Sequence, residues 1–237
     1  MIIFHGISSD TLGLIVESYP ARPIPKRKEQ KWSVPGRNGD IIAVDGSYEN
    51  VVRTYDCYIS AEAVAGGLQS AANRIANWLT YGGYGTLRDD YDANCFVYAH
   101  FSGPVDIENT INRFGRFQLK FDCKPQRYTD DGKTQIEVAN WSTITNPENM
   151  TALPLIELTG SGSGSVAVGD YTLNLSGDGF DVDGVVIDCE NQEVYRGTEN
   201  LNKYASGAFP KLIPGLNLVR YSTSITGCTI TPNWWRL

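Results

Sequence analysis

The sequence predicts a mainly β protein built from two modules, with one helix in the first module. The chain of 237 residues contains 24 glycines, 13 tyrosines and 11 prolines, a composition that favours short strands joined by turns. Runs in which apolar and polar residues alternate are separated by glycine-based turn signals along most of the chain. A convincing helical spacing of apolar residues occurs over residues 61–80 alone.

The first module is predicted to start with two short strands and an extended segment. The strands are expected at Ile2–Phe4 and Leu12–Glu17. Three prolines within Pro20–Pro25 deny ladder hydrogen bonds, so this segment is an extended arm or sheet edge. The basic triplet Lys26–Lys28 follows. It either forms a solvated edge that prevents pairing with another strand or binds an acidic partner.

The stretch from residue 32 to 59 carries two turn signals. Asn38-Gly39 and Asp45-Gly46 supply the positive φ angles that tight hairpins require. In Val51–Ile59 apolar and polar residues partly alternate, which is typical of a strand with one buried face. We therefore expect a β-meander that forms the core of the first module, with the flanking elements packed on it.

The predicted helix covers residues 61–80. Ser60 is placed to cap its start, and Gly82-Gly83 to end it. Gly66-Gly67 weakens its first turn, so the ordered helix is expected from about Leu68. A lone amphipathic helix among strands is expected to cover one face of a sheet. Its apolar face contains Val64, Leu68, Ala71, Ala72, Ile75, Trp78 and Leu79.

Strands are predicted at Thr86–Arg88, Cys95–Phe101 and Asn112–Cys123, after which Lys124–Tyr128 breaks the pattern. The charge distribution then changes. Residues 1–133 hold 15 Lys+Arg and 16 Asp+Glu, whereas residues 134–237 hold 5 and 11. This shift predicts two domains, 1–133 and 134–237.

The second module is predicted to be a β-sandwich, because many short strands follow one another with no helical pattern between them. Trp234-Trp235 would bury a large area against it. A polar loop is expected from residue 139 to Asn149. The predicted strands are Ile136–Val138, Leu155–Leu158, Ser165–Val168, Tyr171–Leu175, Phe180–Val182, Val185–Cys189, Glu193–Tyr195, Asn217–Tyr221 and Cys228–Thr231.

Composition excludes several classes of function. The net charge of −7 is unfavourable for nucleic-acid binding, which needs a cationic field. No apolar run of about 20 residues could span a membrane, and no secretory signal is recognisable, so we expect synthesis in a cytosol. The five cysteines form no C-x-x-C pair, so buried free thiols are expected. They are Cys57, Cys95, Cys123, Cys189 and Cys228.

Catalytic, cofactor and metal motifs are not found in the sequence. A hydrolytic triad needs a histidine base, and the two histidines, His5 and His100, are more simply structural or surface residues. The carboxylates within Asp89–Asp92 could pair as acid and base or hold a cation, but neighbouring residues on a loop rarely converge. Pro35–Gly39 favours a hairpin turn over a phosphate loop, because no helix follows it. We therefore predict no enzymatic activity, no catalytic residues and no cofactor.

The sharpest metal candidate is the loop Gly179–Gly184 with Glu190. Asp181 and Asp183 fall at the third and fifth positions of a calcium loop, and Glu190 at the twelfth. The first ligand position, however, holds a glycine, and the following Val185–Ile187 favours a strand. A hairpin is the preferred interpretation, and no metal site is predicted.

An ordered set of motifs across almost the whole chain resembles the distal tail protein family of long-tailed, non-contractile phages of Gram-positive bacteria and their prophages. Each motif alone is weak, and the specificity comes from their order. They are Gly6–Ser9 with Leu12–Leu14, Pro20–Pro25, V-P-G-R-N-G-D (Val34–Asp40), D-G-S-Y-E-N (Asp45–Asn50), N-W-L (Asn77–Leu79), C-K-P-Q-R-Y (Cys123–Tyr128), Asn146-Pro147, P-L-I-E-L-T-G-S-G (Pro154–Gly162), Phe209–Asn217 and T-P-N-W-W (Thr231–Trp235).

The resemblance implies a β-sandwich-like N-terminal domain with a helix and a galectin-like C-terminal β-sandwich. It implies a structural hub at the virion tail tip, made in the host cytoplasm, in which a hexameric ring, or a stacked pair of rings, joins the tail tube protein to the tail-associated fibre or lysin and the receptor-binding proteins. It implies no membrane insertion and no sequence-specific nucleic-acid binding. The alternative function is a carbohydrate-binding module in which residues 134–237 contact the host cell wall.

Overall fold

The computed structural model describes residues 1–20, 23–59, 68–80, 82–103 and 116–237. These residues confirm the mainly β fold class, with a single α-helix, α1 (Leu68–Leu79), among them. They divide into two compact units, Met1–Arg127 with Leu237, and Tyr128–Arg236. In the described part of the chain, α1 is too short and too polar to cross a membrane.

The first unit contains one large antiparallel sheet and one separate two-stranded sheet. The large sheet has the strand order β2-β1-β7-β8-β9-β6-β3, and β4 pairs with β5 alone. The strands are β1 (Ile2–Phe4), β2 (Ile7–Ser8), β3 (Leu14–Ser18), β4 (Arg27–Trp32), β5 (Ile41–Tyr48), β6 (Val51–Ile59), β7 (Gly85–Asp89), β8 (Cys95–Phe101) and β9 (Arg116–Thr129), whose last two residues belong to the second unit.

The core of the first unit lies between α1 and the large sheet. β6 and β9 pair in register from Val51 opposite Cys123 to Tyr58 opposite Arg116, and alternate residues of both strands are buried. The helix is fixed by Trp78, whose indole N–H donates to the Phe4 carbonyl oxygen at 3.0 Å. The predicted helix is confirmed from residue 68 onward, and residues 60–67 lie outside the described residues. The buried helix residues are Ala71, Ala72, Ile75, Trp78 and Leu79.

The predicted β-meander core is wrong. β4 and β5 form their own sheet and leave nearly all of their residues exposed, so the large sheet is built without them. Asp45-Gly46 is not a hairpin turn either. It lies inside β5 as a bulge in which Gly46 has φ 84° and the Asp45 carboxylate accepts from the Ser47 amide at 2.8 Å.

Two strand boundaries in the first unit also differ from the prediction. Ser9–Leu12 forms a 3₁₀ turn closed by Gly13 at φ 69°, so β3 begins only at Leu14. β9 does not break at Lys124 but continues through Pro125 to Thr129. Its pairing with β6 ends at Cys123, so the missing N–H of Pro125 interrupts no hydrogen bond to that strand.

The second unit is a sandwich of two antiparallel sheets. Their orders are β10-β20-β12-β15-β16-β17 and β11-β19-β13-β14-β18, and residues of both sheets share one buried cluster. The strands of the two sheets are β10 (Ile136–Glu137), β11 (Ser142–Asn146), β12 (Leu155–Gly160), β13 (Gly164–Val168), β14 (Tyr171–Leu175), β15 (Val185–Asp188), β16 (Glu193–Arg196), β17 (Glu199–Asn200), β18 (Ala205–Gly207), β19 (Gly215–Tyr221) and β20 (Ile225–Thr231). A further strand of this unit, β21 (Trp235–Arg236), is in neither sheet.

Two segments of the second unit differ from the prediction. Phe180–Val182 is a loop rather than a strand, although both of its apolar side chains are buried. Gly179 and Gly184 flank it with φ angles of 70° and 68°, which turn the chain at both ends. Ser142–Asn146 is a strand rather than part of a polar loop, since β19 pairs with it along five residues. Trp234 is buried as predicted.

Candidate interaction surface

Among the described residues of the first unit, the most exposed regular structure is the β4–β5 hairpin, here called the arm (Arg27–Tyr48). Its strands pair from Arg27 opposite Tyr48 to Trp32 opposite Ile41. The connecting turn is closed by the Arg37 amide, which donates to the Val34 carbonyl oxygen at 3.1 Å. This confirms the predicted hairpin turn in place of a phosphate loop.

Both faces of the arm carry exposed apolar side chains. Trp32 lies opposite Ile41 on one face and is 48% exposed, while on the other face Ile42 and Val44 are 55% and 51% exposed. A two-stranded hairpin is only marginally stable by itself in water, and apolar side chains that stay exposed to solvent do not stabilise the fold. The arm therefore has the properties of a segment that is covered by another molecule.

The base of the arm is held by polar contacts to the segment before β6. The Glu49 amide donates to the Lys26 carbonyl oxygen at 2.8 Å, and the Lys26 ammonium lies 3.9 Å from the Glu49 carboxylate. The Arg27 guanidinium lies over the ring of Tyr48, 5.6 Å from its centroid. These contacts fix where the arm leaves the sheet, and they leave Lys28 exposed on β4.

A second candidate surface is the β3 edge of the large sheet. Among the described residues β3 pairs with β6 alone, so within this part of the chain the backbone groups on its other edge have no strand partner. Ile15 is exposed on this strand, and Glu17 forms an ion pair with Arg116 at 2.6 Å. Such an edge can accept an added strand from another molecule.

A cavity of about 480 Å³ lies beside α1. Trp78 and Leu12 form apolar walls, and Arg74 and Asn77 contribute polar groups. His5 also lines this cavity, with its backbone at φ 50°. The cavity is wide enough to accept a side chain of another molecule. His5, which the sequence analysis interprets as a structural or surface residue, lies in its wall.

The carboxylates of residues 89–92 do not converge. Asp89 is buried, accepts from the Tyr55 hydroxyl at 2.9 Å and lies 3.5 Å from the Arg53 guanidinium. Asp90 accepts from the Tyr19 hydroxyl at 3.2 Å, and Asp92 pairs with Arg127 at 2.9 Å. Each carboxylate therefore fixes a different element. His100 is separate from all three and stands edge-on to Tyr84.

In the calcium-like loop of the second unit, Gly179–Gly184, the aspartate side chains accept hydrogen bonds from backbone amides rather than form a metal-ligand arrangement. Asp181 accepts from the Gly162 amide at 3.0 Å and Asp183 accepts from the Gly160 amide at 3.3 Å, while Glu190 accepts from the Tyr128 hydroxyl at 3.3 Å. The hairpin interpretation of the sequence was too simple, because this segment is a loop tied to the preceding turn. Across the described ranges, no three His, Cys, Asp or Glu side chains are grouped as metal ligands.

All five cysteines are free and buried, as the sequence predicts. Burial raises the pKa of the Cys57, Cys123 and Cys228 thiols to about 12. Because the thiolate is the reactive form, these groups are chemically inert near neutral pH.

Residues 11–123 match the model of the phage tail protein RIFT-related domain. No curated protein sequence matches the chain. Among solved structures, the chain is similar to the Dit protein (gp 19.1) of phage SPP1, described as a paradigm of the hub adsorption apparatus in phages that infect Gram-positive bacteria. The TM-score is 0.74 at 13% identity, with 97% of this chain and 96% of that chain covered.

Proposed function

We propose that this chain forms a hexameric ring hub at the tip of a long non-contractile tail. The match of residues 11–123 to a phage tail protein domain and the likeness of the fold to a Dit protein support the proposal. The resemblance expressed by the sequence motifs is thereby confirmed at the level of family and fold. The ring, its sixfold symmetry and its partners are the proposal.

The observation that carries the proposal is the arm. The described residues leave the apolar side chains on both of its faces about half exposed, and a neighbouring copy in a ring would cover them. A head-to-tail contact of this kind uses two different surfaces of each copy and generates a closed ring when the rotation closes. The β3 edge and the cavity beside α1 are the surfaces of the first unit that could receive the arm.

In this role the chain is a structural, non-enzymatic component of the virion, made in the host cytoplasm. The ring would join the tail tube protein on one side to the tail-associated fibre or lysin and the receptor-binding proteins on the other. The second unit, which we interpret as the galectin-like sandwich, would face these partners. What supports a structural role is that Asp89, Asp181 and Asp183 use their carboxylates to fasten strands and turns.

Two valine substitutions test the arm. Val44 in the arm is 51% exposed and Val52 on β6 is 56% exposed, so the same change to glutamate at each site introduces the same charge at nearly equal exposure. Mass photometry and negative-stain microscopy of the purified full chain should show annular particles of about six times 26.1 kDa, or stacked pairs of them, for the wild type and for Val52→Glu. Val44→Glu should yield the single chain, because a charge would be buried unpaired in the contact.

A wild-type chain that stays monomeric at every concentration tested overturns the ring. Rings that survive Val44→Glu, or that are lost equally with Val52→Glu, would mean that the arm is not the contact. Circular dichroism of all three chains serves as the control for folding.

A further inference from the structure

One face of the second unit carries an exposed strip that the ring does not require. β11 is the edge strand of its sheet, and its outward residues lie opposite those of β19. Thr143 and Thr145 point outward, because Ile144 between them is buried. We call this strip the tryptophan platform. It consists of Trp141, Thr143, Thr145, Leu216, Leu218 and Arg220.

Trp141 has a backbone conformation that bulky side chains rarely adopt. Its φ angle is 61°, and its side chain is 69% exposed, so core packing does not explain the residue. Hydrogen bonds to β19 hold this backbone conformation. The Asn140 side chain donates to the Tyr221 carbonyl oxygen at 2.7 Å and accepts from the Tyr221 amide at 2.9 Å, and the Trp141 amide donates to Val219 at 3.0 Å. Strain of this kind on an exposed side chain indicates a function for the indole.

The neighbours of the indole give the platform its chemistry. The Arg220 guanidinium lies 5.7 Å from the indole centroid and is oriented by a hydrogen bond of 2.8 Å to the Gly169 carbonyl oxygen. The two threonine hydroxyls follow along β11, and Leu216, 72% exposed, lies at the far end. The platform is therefore a flat aromatic surface flanked by hydrogen-bonding groups, about 13 Å long and about 10 Å wide by strand geometry.

Area and charge together select the kind of ligand. A stable protein contact covers about 800 Å² on each partner, several times more than this strip provides. The acidic residues of 134–237 outnumber the basic ones by 11 to 5, which repels nucleic acids and anionic polymers. An uncharged ligand with an apolar ring face and peripheral hydroxyls satisfies both conditions. We propose that the tryptophan platform binds a neutral oligosaccharide, with one sugar ring stacked on Trp141 and its hydroxyls bonded to Arg220 and the threonines.

The test is calorimetric titration of the full chain with cellotriose, maltotriose, laminaritriose and chitotriose, each at millimolar concentration. Trp141→Gly removes the indole and suits the left-handed backbone, so the fold is expected to keep or raise its melting temperature. We expect wild-type binding to at least one of these sugars and a loss of about tenfold or more in affinity with Trp141→Gly. Trp141→Tyr should retain most of the affinity, and Trp32→Ala, which removes an exposed indole from the arm, should bind as the wild type does.

The absence of binding to all four sugars overturns the proposal, as does binding that Trp141→Gly leaves unchanged. A melting temperature lowered by Trp141→Gly would mean that the fold itself uses the indole, and would also overturn it. If Trp141→Gly instead abolishes association with a purified tail protein while no sugar binds, the platform belongs to a protein contact. Particle size is measured alongside, because the ring is expected in every one of these variants except Trp32→Ala, so failure of the platform and failure of the ring are separable.

Discussion

Two hairpins of this chain share a secondary structure and have opposite environments. In the second unit, β13 and β14 pair across the turn Gly169-Asp170 and bury Val166, Val168, Leu173 and Leu175. In the first unit, β4 and β5 pair across a longer turn and bury none of their apolar residues. Both hairpins are rich in β-branched and aromatic residues, so local propensity does not distinguish them.

The difference lies in which element shields the apolar side chains of each hairpin from water. The β13–β14 hairpin is covered by the opposite sheet of its own sandwich, which shares one buried cluster with it. The described residues leave the apolar side chains of the arm about half exposed, and we propose that a neighbouring copy covers them. On this proposal the β13–β14 hairpin is stabilised by its own unit, whereas the arm is stabilised only by assembly of the ring.

Hydrogen exchange should show the largest contrast. In the monomeric Val44→Glu chain, amides of the arm should exchange through local opening, whereas those of β13 and β14 should exchange only when the second unit opens. We expect protection factors that differ by about a thousandfold or more, measured by mass spectrometry on peptides from each hairpin. Equal protection in the monomer would mean that the arm is stabilised within its own chain.

Shortening one buried side chain should have the next largest effect. Leu175 is fully buried, so Leu175→Ala should lower the free energy of unfolding of the second unit by about 2–5 kcal/mol. Val44→Ala should change the free energy of unfolding of the monomer by no more than about 0.5 kcal/mol, because its side chain is already half exposed to water. Urea titration followed by tryptophan fluorescence gives both values, and comparable losses would contradict the contrast.

The sequence was sufficient to predict this contrast in part. The turn signals located both hairpins, and alternation identified the buried face of β9 through Phe117 and Phe121. What the pattern could not reveal is whether another element covers a hairpin, since that depends on tertiary contacts distant in the sequence. The β-meander core was predicted wrongly for this reason.

The tryptophan platform was missed for a related reason. Its edge strand, β11, has the sequence S-T-I-T-N with Ile144 as its only apolar residue, so propensity favoured a loop. Pairing with β19 overrode the propensity. The available signal was the alternation of polar residues around Ile144, which is too short to identify a strand by itself. Nothing in the sequence indicated the left-handed conformation of Trp141.

Adding one methyl group to a turn of each hairpin should sharpen the comparison. Gly169 and Gly39 have positive φ angles of 56° and 81°, and a Cβ at either site would meet no atom within 4 Å. The cost of alanine is therefore conformational in both cases, about 1 kcal/mol. Gly169→Ala should appear as a loss of unfolding free energy, whereas Gly39→Ala should leave unfolding of the monomer unchanged and weaken the ring. Urea titration and mass photometry of the two variants distinguish these outcomes.

The smallest expected effect is a difference between two surface aspartates, Asp45 and the half-buried Asp56, at low pH. Hydrogen bonds from the Ser47 amide and hydroxyl lower the pKa of Asp45 within its own bulge, and bonds from Ser18 and Gln118 lower the pKa of Asp56. The partners of Asp56 lie on the neighbouring strands β3 and β9, so those bonds are lost when the first unit unfolds, whereas the bonds of Asp45 are local. Local bonds of this kind can form in the unfolded chain as well.

A folded-state pKa below the ordinary value of 3.8 means that the Asp56 carboxylate stabilises the fold above that pH. The contribution is lost as the pH falls through the folded pKa, and solvent screening keeps it below about 1 kcal/mol. Asp56→Asn should therefore flatten the acid side of the stability curve, measured by urea titration between about pH 5 and pH 2. Asp45→Asn should leave that curve unchanged. A flattening with Asp45→Asn of the same size as with Asp56→Asn would mean that the arm unfolds together with the sheet and is part of the same cooperative unit.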